Sequence, residues 1–318
     1  MMNKMIEGNG IDFIGDIHGY GTVLCELLEK LGYRMSENGF HHPSGRKVVF
    51  LGDFIDRGPE VDLTLRIVSS MVDSGNAMAV MGNHEYNAVC FHTPDERGDY
   101  LRSHTDDDGK NVKQHRSTLD QFEHDPERWS GWIEWFKSLP FFIDTDEWRA
   151  VHAAWDCRSA DLLSKVSMKD DAFLRRSVEN SEIEFNAVNT LLKGVEIDLP
   201  EGEFFRDHNG HLRKEIRVRW WDVIEGKSYR ELIFPNSSEI TEAVVKIKSE
   251  QLWESYPKQS PPVFFGHYWI PPEGNVEPLA DNVACLDYSV ALKGGKLTAY
   301  SWNGETELSS ANFVQVDV

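Results

Sequence analysis

The chain has 318 residues, 40% of them hydrophobic, enough to bury one large core or one core with a modest second lobe. Against 33 lysines and arginines stand 53 aspartates and glutamates, a formal net charge of -20, which repels a phosphate backbone and disfavours general nucleic-acid binding. No apolar run is long enough to cross a bilayer, the opening MMNKMIEGNG lacks the apolar stretch of a signal peptide, and Cys25, Cys90, Cys157 and Cys285 form no CxxC pair; together these point to a cytoplasmic protein with no membrane partner, zinc ribbon or disulfide framework.

Three short apolar runs, each ended by glycine, read as strands buried on both faces: IDFIG (11–15), KVVFLG (47–52) and NAMAVMG (76–82). Between the first two, TVLCELLEKLGY places Val23, Leu24, Leu27, Leu28 and Leu31 on one helical face, and Gly32 stops the helix. Between the second and third, DLTLRIVSSMVDSG does the same with Thr64, Ile67, Val68, Met71 and Val72. A β-α-β-α-β order with right-handed crossovers makes the strands parallel and gathers the loops after them on one edge.

The charged residues fall on that edge. The first strand exits into GDIHG (Asp16, His18), the second into GDFIDRG (Asp53, Asp56, Arg57) and the third into GNHE (Asn83, His84, Glu85). One such exit is an ordinary turn, but three in order, each after a buried strand, point to a shared metal site. Carboxylate, amide and imidazole donors without thiolate suit manganese, iron or zinc and argue against a structural zinc site. A carboxylate such as Asp53 can bridge two metals, which together lower the pKa of a bridging water and hold a phosphoryl oxygen. Arg57 then has phosphate oxygens to clamp, and His84 can give the leaving alkoxide its proton.

These three blocks resemble the signature motifs of the phosphoprotein phosphatase (PPP) family within the calcineurin-like metallophosphoesterases. RAVHAAWD with His152, PVFFGHYW with His267, WIEWFKSLPFFID and DYSVALKGGKLTAYSW extend the likeness over about 11–155 and 263–303. The resemblance implies an α/β fold, a β-sandwich flanked by helices on both outer faces, with the dinuclear site at the strand ends. It assigns Asp16, His18 and Asp53 to one metal and Asp53, Asn83, His152 and His267 to the other. Arg57 would bind phosphate with help from Asn83, and His84 would donate the proton with Asp56 orienting it. Glu85 reads as support for its loop rather than as a ligand. The implied cofactors are two divalent ions, with manganese expected ahead of iron, zinc or nickel.

Other features are read more plainly. His41, His42, His92, His104, His115, His124, His208 and His211 sit in polar segments and read as surface, while Trp132, Trp135 and Phe136 fit a buried helical face. Ala153, Ala154 and Trp155 follow His152 where many relatives have glycine, which predicts a bulkier pocket floor. Residues 93–118, the most polar stretch, read as a mobile loop or helical cap over the active edge. A single domain over 1–318 is expected, with an elaborated insertion at about 156–262. Within it Asn209-Gly210 signals a hairpin turn, and EIRVRWW alternates Arg217 and Arg219 with apolar residues. Arg219 is the candidate for a second phosphate clamp. The expected function is metal-dependent hydrolysis of a phosphomonoester, on a phosphoprotein or a small phosphorylated molecule. A dinucleoside polyphosphate hydrolase is the alternative, and a non-catalytic phosphate-binding scaffold is a further one.

Overall fold

The computed structural model describes residues 10–37, 39–106, 109–206, 212–237, 239–245 and 253–318. Two sheets form a sandwich. The larger has six strands, running Asp287–Tyr288, Lys296–Trp302, Ile11–Ile14, Lys47–Phe50, Ala77–Ala79, with Phe313–Asp317 also paired to Lys296–Trp302. The smaller runs Val283–Cys285, Val263–Phe265, Arg149–Val151, Phe142–Asp144. Ile11–Ile14, Lys47–Phe50 and Ala77–Ala79 are parallel, in the registers Phe13↔Val49 and Val49↔Met78. Arg149–Val151, Val263–Phe265 and Val283–Cys285 are parallel in the second sheet. Each sheet therefore delivers three carboxyl-terminal strand ends.

Alternation along the strands builds the layers. Ile11, Phe13, Val49, Ala150, Phe264 and Ala284 point between the sheets, where Phe13 stacks on Phe264 with ring centroids 3.7 Å apart. Ile14, Val48 and Phe50 point outward on the first sheet, and Val151, Val263 and Phe265 on the second. Helices cover both outer faces, supplying Leu24, Leu27, Leu28, Val68 and Met71 on one side and Ala160, Leu163, Val188 and Leu191 on the other.

The helices Gly21–Lys30 and Val61–Asp73 bury the expected faces, with Val23, Leu31 and Val72 at their half-buried margins. A hairpin, Arg34–Ser36 with Gly39–His41, interrupts the expected β-α-β-α-β order before the second buried strand. Its first strand is wholly exposed, so no apolar periodicity announced it. In the insertion, Phe205–Arg206 pairs antiparallel with Leu212–Arg213 as the hairpin reading requires; the Asn209-Gly210 turn lies outside the described residues. Glu215–Arg217 pairs instead with Glu196–Asp198, and this ladder packs its own small core of Ile197, Ile216, Val218, Leu232 and Ile233. No described helix is long and apolar enough to cross a membrane.

Candidate metal centre

The six parallel strand ends converge, and the backbone there is strained. Of seven non-glycine residues with positive φ among the described residues, six are His18, Asp53, Asp56, Arg57, His267 and Trp269. Such conformations cost about 1–3 kcal/mol each and persist only where surrounding contacts over-determine them. The contacts are visible. Glu85, wholly buried, accepts backbone N–H groups from Gly82 (3.0 Å), Asp53 (2.8 Å) and Phe54 (2.8 Å), which ties the second strand exit to the third. Glu85 thus supports the loop, as its motif position suggested.

Asp53 is the centre of the cluster. Its Oδ2 lies 3.7 Å from His18 Nε2, 3.4 Å from His152 Nε2 and 3.9 Å from His84 Nε2. Its Oδ1 accepts the backbone N–H of His84 at 2.9 Å. His152 donates from Nδ1 to Leu51 O at 2.7 Å, which leaves Nε2, 3.0 Å from Asn83 Oδ1, as the nitrogen turned to the cluster. His18 likewise uses Nδ1 on Ile55 O at 3.0 Å. Asp16 accepts the backbone N–H of His267 at 3.1 and 3.2 Å. Two donor groups are close enough to share an ion, His18 with Asp53 and His84, and Asp53 with His152 and His267. Asp16, His18, Asp53, Asn83, His84, His152 and His267 are all buried around this point.

The donor set fits divalent cations. His18 Nε2 and both ring nitrogens of His267 are buried without a hydrogen-bond partner, a costly state unless a Lewis acid takes the lone pairs. Burial and the neighbouring His84 push His18 down to about 3, and burial with the Arg217 charge holds His267 well below the usual imidazole range, so both rings stay neutral and able to ligate. Burial and the carboxylates of Asp287 and Asp53 hold Asp16 well above its usual range. Asp53 goes the other way: despite its burial, the neighbouring His152 and His84 keep it ionised.

Beside the cluster, His84 Nδ1 donates to Asp56 Oδ2 at 2.5 Å. Burial disfavours a charge on His84, but Asp53 and Asp56 outweigh it and raise its pKa. The Arg57 guanidinium lies 4.2 Å over the Trp269 ring, and the Trp269 backbone N–H donates to buried Asp287 at 2.7 Å. The sequence reading missed Trp269 and Asp287 as parts of the site; the quoted GHYW and DYSV stretches contain them.

Three corrections concern side chains read from polarity. His115 is buried, at 5% exposure, and donates to Asp56 at 2.7 Å. His104 is stacked between Phe91 and Tyr100, and His92 accepts the Trp129 indole N–H at 2.8 Å. The polar segment 93–118, read as a mobile loop or helical cap, overlaps a regular helix, Lys110–Phe122. His208 and His211 lie outside the described residues. Trp155 packs on Phe142 and under the Arg149 guanidinium. Arg219 is bound to Asp222 at 3.0 Å, whereas Arg217, paired with Glu196 at 3.2 Å, is the arginine whose charge acts on His267.

The chain is similar to known proteins over part or all of its length. A bis(5'-nucleosyl)-tetraphosphatase PrpE [asymmetrical] of Halalkalibacterium halodurans is 47% identical over 73 residues, 23% of this chain and 30% of that protein. The Bacillus subtilis PrpE is 40% identical over 73 residues, again 23% of this chain and 30% of the relative. The chain thus matches under a third of the length of these curated relatives. Among solved structures, a putative diadenosine tetraphosphatase aligns over 98% of this chain and 95% of its own at 14% identity and a TM-score of 0.45. A serine/threonine phosphatase of Saccharomyces cerevisiae aligns over 96% and 78% at 12% identity and a TM-score of 0.43. The sequence model of the calcineurin-like phosphoesterases matches residues 10–222, more than half of the chain, which therefore belongs to the calcineurin-like phosphoesterase family.

Proposed function

We propose that the protein is a dinuclear-metal-dependent phosphatase of phosphomonoesters, acting on a phosphoprotein or a small phosphorylated molecule. The observation that carries this reading is Asp53 Oδ2 within 4 Å of three imidazole nitrogens, beside buried ring nitrogens of His18 and His267 that lack partners. Asp16, His18 and Asp53 would hold one cation, and Asp53, Asn83, His152 and His267 the other. Bound divalent ions, manganese being the expected pair, would supply an activated water and neutralise phosphoryl charge. The chain's own residues do the rest. Arg57, its guanidinium 4.2 Å over the Trp269 ring, would donate to phosphate oxygens. Asn83 would offer its amide as a further phosphate contact. His84, with Nδ1 engaged by Asp56, keeps Nε2 free to hand a proton to the leaving oxygen as the P–O bond breaks.

The second reading, hydrolysis of a dinucleoside polyphosphate, has support from the PrpE relatives, although the shared stretch spans only 30% of their length. Both readings use the same site and part at the substrate. We further take residues 1–318 as one domain carrying an insertion at about 156–262. Four free cysteines accord with a cytoplasmic protein. The decisive experiment is a matrix of manganese, iron, zinc and nickel against p-nitrophenyl phosphate, phosphopeptides, nucleotides and diadenosine tetraphosphate. Chelator-sensitive turnover of the monoesters supports the first reading and preferred turnover of diadenosine tetraphosphate the second. Turnover unaffected by chelator, or none with any metal, overturns both.

A further inference from the structure

The polar segment read as a mobile loop or helical cap overlaps a helix, Lys110–Phe122, whose His115, Thr118 and Gln121 stand at i, i+3 and i+6 on one side. All three grip the loop that begins at Asp56. His115 Nδ1 donates to Asp56 Oδ1 at 2.7 Å, and Thr118 Oγ1 donates to the same oxygen at 2.6 Å. The Thr118 hydroxyl also accepts the Asp56 backbone N–H at 3.0 Å, so it holds both ends of one residue. Gln121 accepts from Val61 N at 2.8 Å and donates to Gly58 O at 3.3 Å, five and two residues further along the same loop.

The division of Asp56 between its two oxygens is the telling feature. Oδ1 is filled by helix donors, and Oδ2 is left to His84 alone. A carboxylate free to rotate would exchange its oxygens and let the imidazole swing; two donors on one oxygen remove that freedom. The clamp also acts on backbone, since Asp56 and Arg57 both carry positive φ, at 69° and 65°. That geometry needs outside contacts to persist, and Thr118 supplies one on the Asp56 amide itself. Thr118 is wholly buried and His115 nearly so, so solvent offers no substitute donor. His115 rests against the Phe91 and Trp129 rings, with centroids 5.4 and 5.5 Å away, which fixes its plane.

We propose that His115 and Thr118 are positioning residues for proton delivery: by saturating Asp56 Oδ1 they fix the Asp56–His84 pair and hence the direction of the His84 Nε2 proton. This rests on the phosphatase reading for its kinetic consequence, but the clamp itself does not. The proton matters most when the leaving oxygen is a poor one, because a good leaving group departs without it. Loss of the clamp therefore slows an alkyl or phenyl phosphate more than p-nitrophenyl phosphate, with KM little changed, since no substrate contact is removed.

The test uses the full chain with Thr118→Val, which keeps shape and removes the hydroxyl, Thr118→Ser, which restores the hydroxyl, and His115→Phe. Thr118→Val and His115→Phe should lower kcat for phenyl phosphate by roughly tenfold or more and for p-nitrophenyl phosphate by clearly less, with Thr118→Ser close to wild type. A second readout needs no turnover: the downfield proton resonance of His84 Nδ1–H, identified by its loss in His84→Gln, should broaden or vanish in Thr118→Val and return in Thr118→Ser. Equal slowing of both substrates, or wild-type kinetics in a folded Thr118→Val, overturns the proposal. So does an unchanged His84 resonance in that variant. A wild-type protein without phosphatase activity would sink the phosphatase reading while the resonance still decides the clamp.

Discussion

Gly266 separates the strand Val263–Phe265 from His267, and a methyl group there would strike the site directly. A Cβ built on Gly266 lies 1.9 Å from Asp16 Oδ1 and 3.1 Å from its Cγ. The Gly266 φ is not positive, so alanine strains no backbone and the whole effect falls on the Asp16 carboxylate. To restore ordinary contact the carboxylate must retreat by roughly 1 Å, giving up the His267 N–H it accepts at 3.1 Å. Overpacking of this kind costs about 1–3 kcal/mol, which a chain of this size survives. The functional cost is larger. A misplacement of about 1 Å at a reacting centre is worth roughly a hundredfold in rate, and a displaced Asp16 withdraws a ligand from one of the two proposed ions. Gly266→Ala should therefore unfold at slightly lower denaturant, retain about one metal per chain instead of two by elemental analysis, and turn over p-nitrophenyl phosphate roughly a hundredfold more slowly. A folded variant with its full metal content and wild-type turnover would show that Asp16 is not a ligand.

Arg57→Ala should lower kcat by roughly a hundredfold, because a guanidinium on the transferring phosphoryl group acts chiefly in the transition state; Arg219→Ala, which removes one of two cations from Asp222 and a contact over the Trp221 ring, should leave kcat and KM unchanged on both a phosphopeptide and a nucleotide. Asp53→Asn should strip both metals, whereas His84→Asn should keep them and lose turnover, and elemental analysis separates the two. His92 bears on stability against pH: burial, with His115 and His104 nearby, pushes it down to about 4 from 6.5, and it accepts the Trp129 N–H while neutral. Because the unfolded chain takes up that proton first, the contribution is present above about 6.5 and lost as pH falls from there towards 4. Discounted for partial exposure it amounts to about 1–2 kcal/mol; denaturant midpoints of wild type and His92→Phe should converge on acidification, and a constant gap would refute the assignment.

How much of this could be read from residues depended on whether the signal was local. The strands at 11–14, 47–50 and 77–79 are short apolar runs ended by Gly-Asp or Gly-Asn because both their faces are buried, so pattern and site were legible together. His115 was misread for the opposite reason. Its helix is mostly polar, with only His115, Thr118 and Phe122 buried, and its partner Asp56 lies 59 positions earlier. No local periodicity reports a contact of that kind. The surroundings of Arg217 and Arg219 were hidden in the same way. Strand alternation puts both on one face, but what each meets depends on neighbours supplied by other segments, Glu196 for one and Asp222 for the other. Trp269 was legible only as a letter beside His267; its use as a platform under Arg57 needed the fold.

The electrostatics of the site explain why a strongly acidic chain should still be built around buried acids. Asp16, Asp53, Glu85 and Asp287 are all buried within one another's field. Burial and the repulsion from Asp53 push Glu85 up to about 7, and burial also raises Asp287. His152 and His84 hold Asp53 ionised, but no such partner serves the rest, and His18 and His267 are themselves kept neutral. Solubility gives no reason for this crowding, because a surface carrying most of 53 acidic residues already provides it. The strained φ values at six residues of the same cluster add a further cost. A site that is unfavourable in both charge and backbone conformation is retained only if something binds the folded state and not the unfolded one. Divalent cations do both jobs at once, neutralising the carboxylates and accepting the imidazole lone pairs, and at a concentration a hundred times Kd each would return about 2.7 kcal/mol to the fold. On the proposed reading the repulsion among the carboxylates is the counterpart of affinity for metal, and exposed Arg57 would meet phosphate at the rim of a centre left to the ions that the acids attract.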